Sequence, residues 1–186
     1  FAPGGFFCPQ GDVNVMELTQ MNQINVQDGP VLQNGVDISS PVRMRPVHEI
    51  FDAAAERFAK RPCLDFLGRI YEYQDIAEQI DRVAEGFHQL GVRKGDKVGL
   101  CLPNTPYYVI CYYAVLKCGG VVVNFNPLYA KREIAYQIED SGCRIMVTLN
   151  LKQIYPKVAA CLDETCLKRI VVCEMSDILS PVKSVL

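Results

Sequence analysis

The chain has 186 residues, of which 49% are hydrophobic and 22% charged, and this composition is typical of one folded domain and excludes an intrinsically disordered chain. The formal net charge of −2, with basic and acidic residues interspersed, gives no indication of a nucleic-acid partner. The most apolar run, residues 107–116, is about half as long as a membrane span requires, so we expect no transmembrane segment.

Residues 1–45 differ in composition from the rest of the chain. They contain four prolines and many Gln, Asn and Gly residues without a sustained hydrophobic period, which predicts an irregular N-terminal extension. No Lys or Arg precedes Arg43, so the segment does not resemble a secretory signal. The sequence starts at Phe1 without an initiator Met, and processing, a tag and a fragment all stay open as interpretations. We expect the domain itself to occupy residues 46–186.

The first part of the domain predicts two helices separated by a small hairpin. Apolar residues recur at helical spacing in residues 47–60, and Arg61-Pro62 ends that helix. Residues 63–66 and 70–73 flank Leu67-Gly68-Arg69 and predict two short strands. A second amphipathic helix follows over residues 76–90 and ends at Gly91.

From residue 98 onward, strands rich in β-branched residues alternate with helices. The strands are predicted at residues 98–102, 121–125, 145–149 and 170–173. Thr105 is predicted to cap the first intervening helix, residues 107–117, whose apolar residues cover almost every face and predict burial on both sides. The second helix, residues 131–141, ends at Gly142. The third carries an apolar stripe from Leu151 to Leu162 and either starts near Pro156 or kinks there.

This alternation predicts an α/β fold, with a parallel sheet flanked by helices and right-handed crossovers. The last residues, 174–186, end in the middle of the pattern, so we expect the fold to be incomplete.

The nine cysteines do not indicate a disulfide framework. Their number is odd, no Cys-x-x-Cys pair occurs, and most lie within apolar runs, where free cysteine behaves as a small hydrophobic residue. We therefore expect a reducing cytoplasm. A zinc site is not expected, because the only histidines, His48 and His88, are far apart and lack paired cysteines.

Three short motifs could suggest catalysis but favour structural roles. Gly119-Gly120 precedes a strand instead of following one, so it does not match a dinucleotide fingerprint, and no Gly-x-x-x-x-Gly-Lys-Ser/Thr loop occurs. Residues 91–96 are interpreted as a turn between helix and strand. Ser141 lies at a helix end and lacks the Gly-x-Ser-x-Gly elbow of a nucleophile.

Other candidate residues are open to both a functional and a structural interpretation. His48 and His88 favour surface or interface roles, and Cys118 is a candidate reactive thiol whose helix C-terminal position disfavours the thiolate. The four helical tyrosines either stack on a base, line a lipid pocket or pack in the core: Tyr107, Tyr108, Tyr112 and Tyr113. Asn124-Phe125-Asn126-Pro127 lies just past a strand, where α/β sheets bind ligands, but Asn before Pro also forms ordinary turns.

Five ordered blocks of this sequence resemble the N-terminal part of adenylate-forming enzymes, above all long-chain fatty acid–CoA ligases. Departures from the usual family pattern include Glu72, Ile76, Cys118, Ala130 and Cys143. The blocks are Tyr71–Ile76, Leu90–Val98, Leu116–Gly120, Asn124–Ala130 and Asp140–Cys143.

The resemblance implies a Rossmann-like N-terminal subdomain of an AMP-binding ligase. Such enzymes use ATP and Mg²⁺ to activate a fatty acid as an acyl-adenylate and then transfer the acyl group to coenzyme A. In the family, the phosphate loop, the nucleotide contacts and the catalytic lysine lie beyond the matched segment. We therefore assign no catalytic, cofactor-binding or metal-binding residue to this chain and expect it to be inactive alone, with no cofactor bound.

The alternative is a non-catalytic module of the same fold that dimerises or binds a partner. A Rossmann-type nucleotide binder is disfavoured by the missing glycine fingerprint. The resemblance implies fatty acid, ATP and coenzyme A as the parent enzyme's substrates in the cytoplasm. It leaves a peripheral membrane contact and a homodimer open.

Overall fold

The computed structural model describes residues 45–179. The predicted extension, apart from Arg45, and residues 180–186 lie outside the described residues. The described part contains six helices and six strands, and all of them except the last helix follow the order that the sequence predicts. They are α1 (His48–Phe58), β1 (Pro62–Phe66), β2 (Arg69–Glu72), α2 (Tyr73–Gln89), β3 (Lys97–Cys101), α3 (Pro106–Lys117), β4 (Val121–Asn124), α4 (Lys131–Ser141), β5 (Ile145–Leu149), α5 (Tyr155–Ala159), β6 (Arg169–Cys173) and α6 (Met175–Ile178).

Four strands form one parallel sheet in the order β4-β3-β5-β6. Lys97 pairs with Val121 and Val98 pairs with Ile145, so β3 lies between β4 and β5. Ile145 in turn pairs with Arg169 on the outer strand β6. The predicted α/β class with a parallel sheet is confirmed. The handedness of the crossovers stays a prediction.

Helices cover both faces of the sheet because each strand is apolar on both sides. On one face, α1, α2 and α3 pack over a cluster that includes Phe87, Leu100 and Val147. On the other face, α4 and α5 pack over a cluster that includes Ile134, Met146 and Val158. The result is a three-layer arrangement, in which part of each predicted stripe is buried while residues such as Ile50 of α1 stay exposed.

The hairpin of β1 and β2 forms a separate two-stranded antiparallel sheet, as predicted. Leu67 and Gly68 both have positive φ, at 53° and 82°, which closes a tight turn between the two strands. Tyr71 of β2 donates a hydrogen bond from its hydroxyl to the carbonyl of Ile178 at 3.2 Å. The hairpin is thereby joined to α6 at the far end of the described chain.

Two predictions on helices need correction. The apolar stripe from Leu151 to Leu162 forms only a five-residue helix, α5, with Pro156 in its first turn. A proline lacks an N–H and is tolerated there, so the helix starts near it and residues 151–154 form a turn. Helix α3 is not covered on both sides by described residues, since Tyr108, Val109 and Tyr112 are only half-buried.

Candidate functional site

The carboxyl ends of the four parallel strands meet at one edge of the sheet, where open α/β sheets bind ligands. Chain segments that follow the strands bring polar side chains there, namely Asn104 and Thr105 after β3, Asn126 after β4, Asn150 after β5 and Glu174 after β6. Of these segments, only the one after β4 was predicted from the sequence to lie where ligands bind. We call this region the carboxyl edge and treat it as the candidate functional site.

The segment after β4 is held by its own asparagines. The side-chain oxygen of Asn126 accepts a hydrogen bond from the Leu128 N–H at 3.0 Å, and the carbonyl of Asn126 accepts one from the Tyr129 N–H at 3.1 Å. Asn124 accepts a hydrogen bond from the hydroxyl of Tyr108 at 3.0 Å. The turn-forming interpretation of Asn126 is confirmed, while Asn124 joins this segment to α3.

Lys157 of α5 reaches across to the same segment. Its ammonium group donates hydrogen bonds to the carbonyls of Pro127 and Tyr129, both at 2.8 Å. These two contacts fix the backbone that follows β4 against the helix that follows β5. Nothing in the local sequence around Lys157 indicates this role, because its partners are about 30 residues away along the chain.

Replacing Lys157 by methionine is expected to loosen this segment while leaving the fold intact. The change removes two charge-assisted hydrogen bonds and should lower the free energy of unfolding by about 1–2 kcal/mol. Amide hydrogen exchange should accelerate at Leu128 and Tyr129. Lys152→Met is the matched control, since the exposed Lys152 has no hydrogen-bond or ion-pair partner among residues 45–179. Equal exchange at both amides in the two variants would contradict the role of Lys157.

Asn150 and Glu174 connect the ends of β5 and β6. The Asn150 side-chain amide donates a hydrogen bond to the Glu174 carboxylate, and its oxygen accepts one from the Met175 N–H at 2.7 Å. The backbone N–H of Asn150 also donates to the carbonyl of Cys173 at 3.0 Å. These groups are engaged with one another, so within the described chain they serve the local structure of the carboxyl edge.

The prediction that Thr105 caps α3 is confirmed for its N-cap position but not for a side-chain hydrogen bond. Thr105 occupies the position before Pro106, but its hydroxyl makes no capping hydrogen bond. This hydroxyl and that of Thr148 on β5 are the buried side-chain polar atoms without a hydrogen-bond partner among the described residues. Both threonines lie at or beside the carboxyl edge. The Pro106 ring is pre-organised for the first helical turn, and because its nitrogen carries no hydrogen it requires no acceptor.

Three of the four helical tyrosines line an apolar groove. The groove has a volume of about 630 Å³ and lies between α1, β1 and the outward face of α3, with Asn124 at its end. Tyr113 packs against the core residue Phe51 with ring centroids 4.8 Å apart, and Tyr112 lies 6.2 Å from Tyr108. Tyr107 instead donates from its hydroxyl to the carbonyl of Glu174 at 3.2 Å. The tyrosines are therefore partly packed on the core and partly open to a groove.

The glycine and serine motifs have the structural roles that the sequence favours. Gly119 has φ of +73° and its N–H donates to the carbonyl of Leu116 at 2.9 Å, so it ends α3 in the left-handed conformation. Gly95 donates to the carbonyl of Gly119, which makes residues 91–96 a turn beside that helix end. Ser141 closes α4 and donates from its hydroxyl to Ile138 at 3.2 Å.

The two histidines lie on helices, as the sequence indicates. His48 is the first residue of α1 and is half-buried, whereas His88 is exposed near the end of α2. Within residues 45–179, no three side chains of His, Cys, Asp or Glu are grouped so that they could hold a metal ion. No helix in this part of the chain has the length and hydropathy needed to cross a bilayer.

The cysteines are mostly core residues. Eight lie in the described part as free thiols, and six of them are buried. Burial raises the pKa of Cys118, which is the predicted direction, although the prediction gave the helix C-terminus as the cause. Cys111 of α3 and Cys173 of β6 share a side-chain hydrogen bond, and this contact raises the pKa of Cys111. The spacing of cysteines in the sequence does not predict this contact, because the two residues lie on separate elements.

The buried thiols predict a loss of stability at alkaline pH. Burial raises the pKa of Cys101 and of Cys143 to about 11 from the ordinary value of 9.0. The unfolded chain ionises these thiols first, so their contribution is fully present below pH 9 and is lost as pH rises toward 11. The urea midpoint should fall over this range, and less so in a Cys101→Ala/Cys143→Ala variant. Parallel pH profiles for the two proteins would contradict this cause.

Three comparisons with known proteins agree with the observed architecture. A family model described as AMP-binding enzyme matches residues 51–184. The long-chain fatty acid–CoA ligase of Bacillus subtilis is 31% identical over 153 residues, which are 82% of this chain and 27% of that protein. A protein of the same name from Salmonella typhimurium is 33% identical over 146 residues, covering 77% of this chain and 26% of its own length.

Solved structures support the same likeness. A crystal structure of a long-chain fatty acid–CoA ligase from Archaeoglobus fulgidus matches with a TM-score of 0.62 and 26% identity, over 72% of this chain and 29% of that one. This chain spans about a quarter of the length of the curated relatives that it matches. The resemblance that the sequence blocks indicate is thus confirmed for most of the described residues.

Proposed function

The chain belongs to the AMP-binding enzyme family, and from this premise we propose that it is the N-terminal α/β portion of an ATP-dependent fatty acid–CoA ligase. The observation that carries the proposal is the match of residues 51–184 to that family, which takes in all four strands of the parallel sheet. The choice of a fatty acid over other carboxylic acids rests on the names of the relatives that are 31–33% identical.

The proposed reaction has two steps, an adenylyl transfer followed by an acyl transfer. A carboxylate oxygen of the fatty acid bonds to the α-phosphorus of ATP and pyrophosphate leaves, which gives an acyl-adenylate. The thiol of coenzyme A then loses its proton and bonds to the acyl carbon, and AMP leaves. Adenylation is required because a carboxylate oxygen is a poor leaving group, whereas AMP is a good one.

We infer that the described residues do not by themselves form a site for ATP and Mg²⁺. At the carboxyl edge, the Asn150 side-chain amide donates a hydrogen bond to the Glu174 carboxylate, and the Lys157 ammonium group donates hydrogen bonds to two backbone carbonyls. The chain also contains no phosphate-binding glycine loop with a following lysine. We therefore assign this portion a scaffolding role, in which β3 to β6 and their loops support groups supplied elsewhere in a longer polypeptide.

The test compares the isolated chain with the longer protein that contains it. Purified residues 1–186 are expected to show no fatty-acid-dependent ATP–pyrophosphate exchange, while the longer protein should exchange with palmitate and form palmitoyl-CoA. Benzoate in place of palmitate tests the acid class. Exchange by residues 1–186 alone would overturn the scaffolding role. A longer protein that activates no carboxylic acid would overturn the proposed activity.

A second candidate function is supported by the open groove beside α3. A stand-alone module of this fold could bind a partner or a second copy through the half-buried Tyr108 and Tyr112. Sedimentation of residues 1–186 separates the candidates. A monomer at all concentrations, with cooperative melting, argues against self-association. A dimer that Tyr112→Ser dissociates supports it.

A further inference from the structure

The amino ends of the parallel strands form a second concave site, opposite the carboxyl edge. It has a volume of about 470 Å³ and we call it the amino-edge pocket. Four cationic side chains line it against one carboxylate, in a chain whose formal net charge is −2. The charged lining residues are Asp96, Lys97, Arg144, Lys168 and Arg169.

The parallel sheet explains why these cations meet. Lys97 begins β3, Arg144 immediately precedes β5, and Lys168-Arg169 leads into β6. These strands are adjacent in the sheet and run in the same direction, so their first residues share one edge. The backbone N–H groups of Lys168 and Arg169 both donate to the carbonyl of Arg144, at 2.8 and 3.1 Å, which holds the two strand entrances side by side.

Two of the four cationic side chains form hydrogen bonds that stabilise the fold. The ammonium group of Lys97 donates to the carbonyl of Ser141 at 2.6 Å, at the end of α4. The guanidinium of Arg169 donates to the carbonyl of Leu90, just after α2. Cations at helix C-termini bond the free carbonyls and complement the negative end of the helix dipole.

Arg144 and Lys168 form no such stabilising contact among the described residues. Both side chains are exposed, and neither has a hydrogen-bond or ion-pair partner among residues 45–179. Asp96, the carboxylate of the pocket, accepts a hydrogen bond from the backbone N–H of Arg93 at 2.7 Å and so faces its own turn. The pocket therefore holds two uncompensated positive charges beside two that are already anchored.

We propose that the amino-edge pocket binds a phosphate-bearing anion through Arg144 and Lys168. A guanidinium presents paired N–H donors to phosphate oxygens and an ammonium group adds a point charge, which together suit a group with more than one negative charge. The pocket volume of about 470 Å³ is roughly fifteen times a water molecule's share of the liquid, about 30 Å³, so the pocket admits more than a single small ion. This pocket lies at the opposite edge of the sheet from the carboxyl edge, so the proposed anion binding does not depend on the proposed acyl activation.

The first test measures binding of inorganic pyrophosphate to residues 1–186 by calorimetry. The Arg144→Gln/Lys168→Gln variant should bind at least about tenfold more weakly, and added salt should weaken binding to the unaltered chain. Arg82→Gln/Lys152→Gln is the matched control, because it removes two exposed cations without described partners on other surfaces. Equal losses in both variants would overturn the proposal.

A second test uses vesicles to identify the source of the phosphate. Retention on phosphatidylglycerol vesicles but not on phosphatidylcholine vesicles, lost in the Arg144 and Lys168 variant only, assigns a lipid headgroup. Pyrophosphate binding without vesicle retention assigns a free anion. If neither probe binds, the proposal is wrong.

A footprint on the unaltered chain makes the result independent of how the variants fold. Bound pyrophosphate should protect Lys168 from acetylation by acetic anhydride, as read by mass spectrometry, while Lys152 stays equally reactive. Unchanged labelling of Lys168 at saturating pyrophosphate would contradict the site.

Discussion

Replacing Phe87 by alanine lowers the free energy of unfolding by about 3–5 kcal/mol, the largest effect that we expect from a single substitution. Phe87 is 2% exposed and is the largest fully buried side chain of the described residues. It lies on α2 within the cluster that joins α1, α2 and α3 to the sheet. The change removes apolar contacts and leaves a cavity that packed helices refill only in part. Urea unfolding measures it.

The matched control for Phe87 is its neighbour His88, which lies on the exposed side of the same helix. His88→Ala keeps the helix and removes no buried surface, so its free energy of unfolding should change by less than about 0.5 kcal/mol. A similar loss in both variants would show that the effect comes from α2 itself. It would contradict the assignment of Phe87 to the core.

Gly120→Ala is expected to destabilise the chain by about 1–3 kcal/mol, because its methyl group has no room. A Cβ at Gly120 would lie 3.0 Å from Cγ1 of Val115 and 3.2 Å from the carbonyl oxygens of Asp96 and Val115. The Val115 carbonyl belongs to α3 and the Asp96 carbonyl to the residue before β3, and they accept the N–H groups of Gly120 and Val121, so neither can move aside independently. Overlap with this backbone is therefore relieved only by displacing the start of β4.

Gly86→Ala provides the control for Gly120→Ala. Gly86 lies inside α2, and a Cβ there would meet nothing within 4 Å. Alanine favours a helix over glycine, so this substitution should raise the free energy of unfolding by about 0.5–1 kcal/mol. Opposite signs for the two changes are expected in thermal unfolding. Stabilisation by Gly120→Ala would contradict the close packing at the end of α3.

Local patterns in the sequence were sufficient for the elements of the fold except α6, which was not predicted. The strands are apolar on both faces, and the helices end at glycines such as Gly119 and Gly142, which take positive φ in the structure. The sheet strands differ from the prediction by about one residue at their ends. Helix α5 was overestimated because apolar residues on either side of it, such as Leu151 and Cys161, reach the same cluster from turns.

The candidate sites depend on contacts between distant parts of the chain, which local patterns do not encode. Lys157 bonds carbonyls on a preceding loop, and the tyrosines of α3 form a groove only because α1 lies opposite them. The amino-edge pocket was not predicted, although the sequence contains a signal for it. A basic residue stands at or just before β3, β5 and β6, and the predicted parallel sheet already places those positions on one edge.

The most direct test of the proposed ligase function uses an antibody raised against residues 46–186 to isolate the endogenous protein from its source. We expect a polypeptide several times larger than the 20.8 kDa of this chain, because the curated relatives are about four times longer than the segment they share with it. The isolated protein should catalyse ATP–pyrophosphate exchange that depends on palmitate. A native product near 20.8 kDa without fatty-acid-dependent exchange would contradict the proposal.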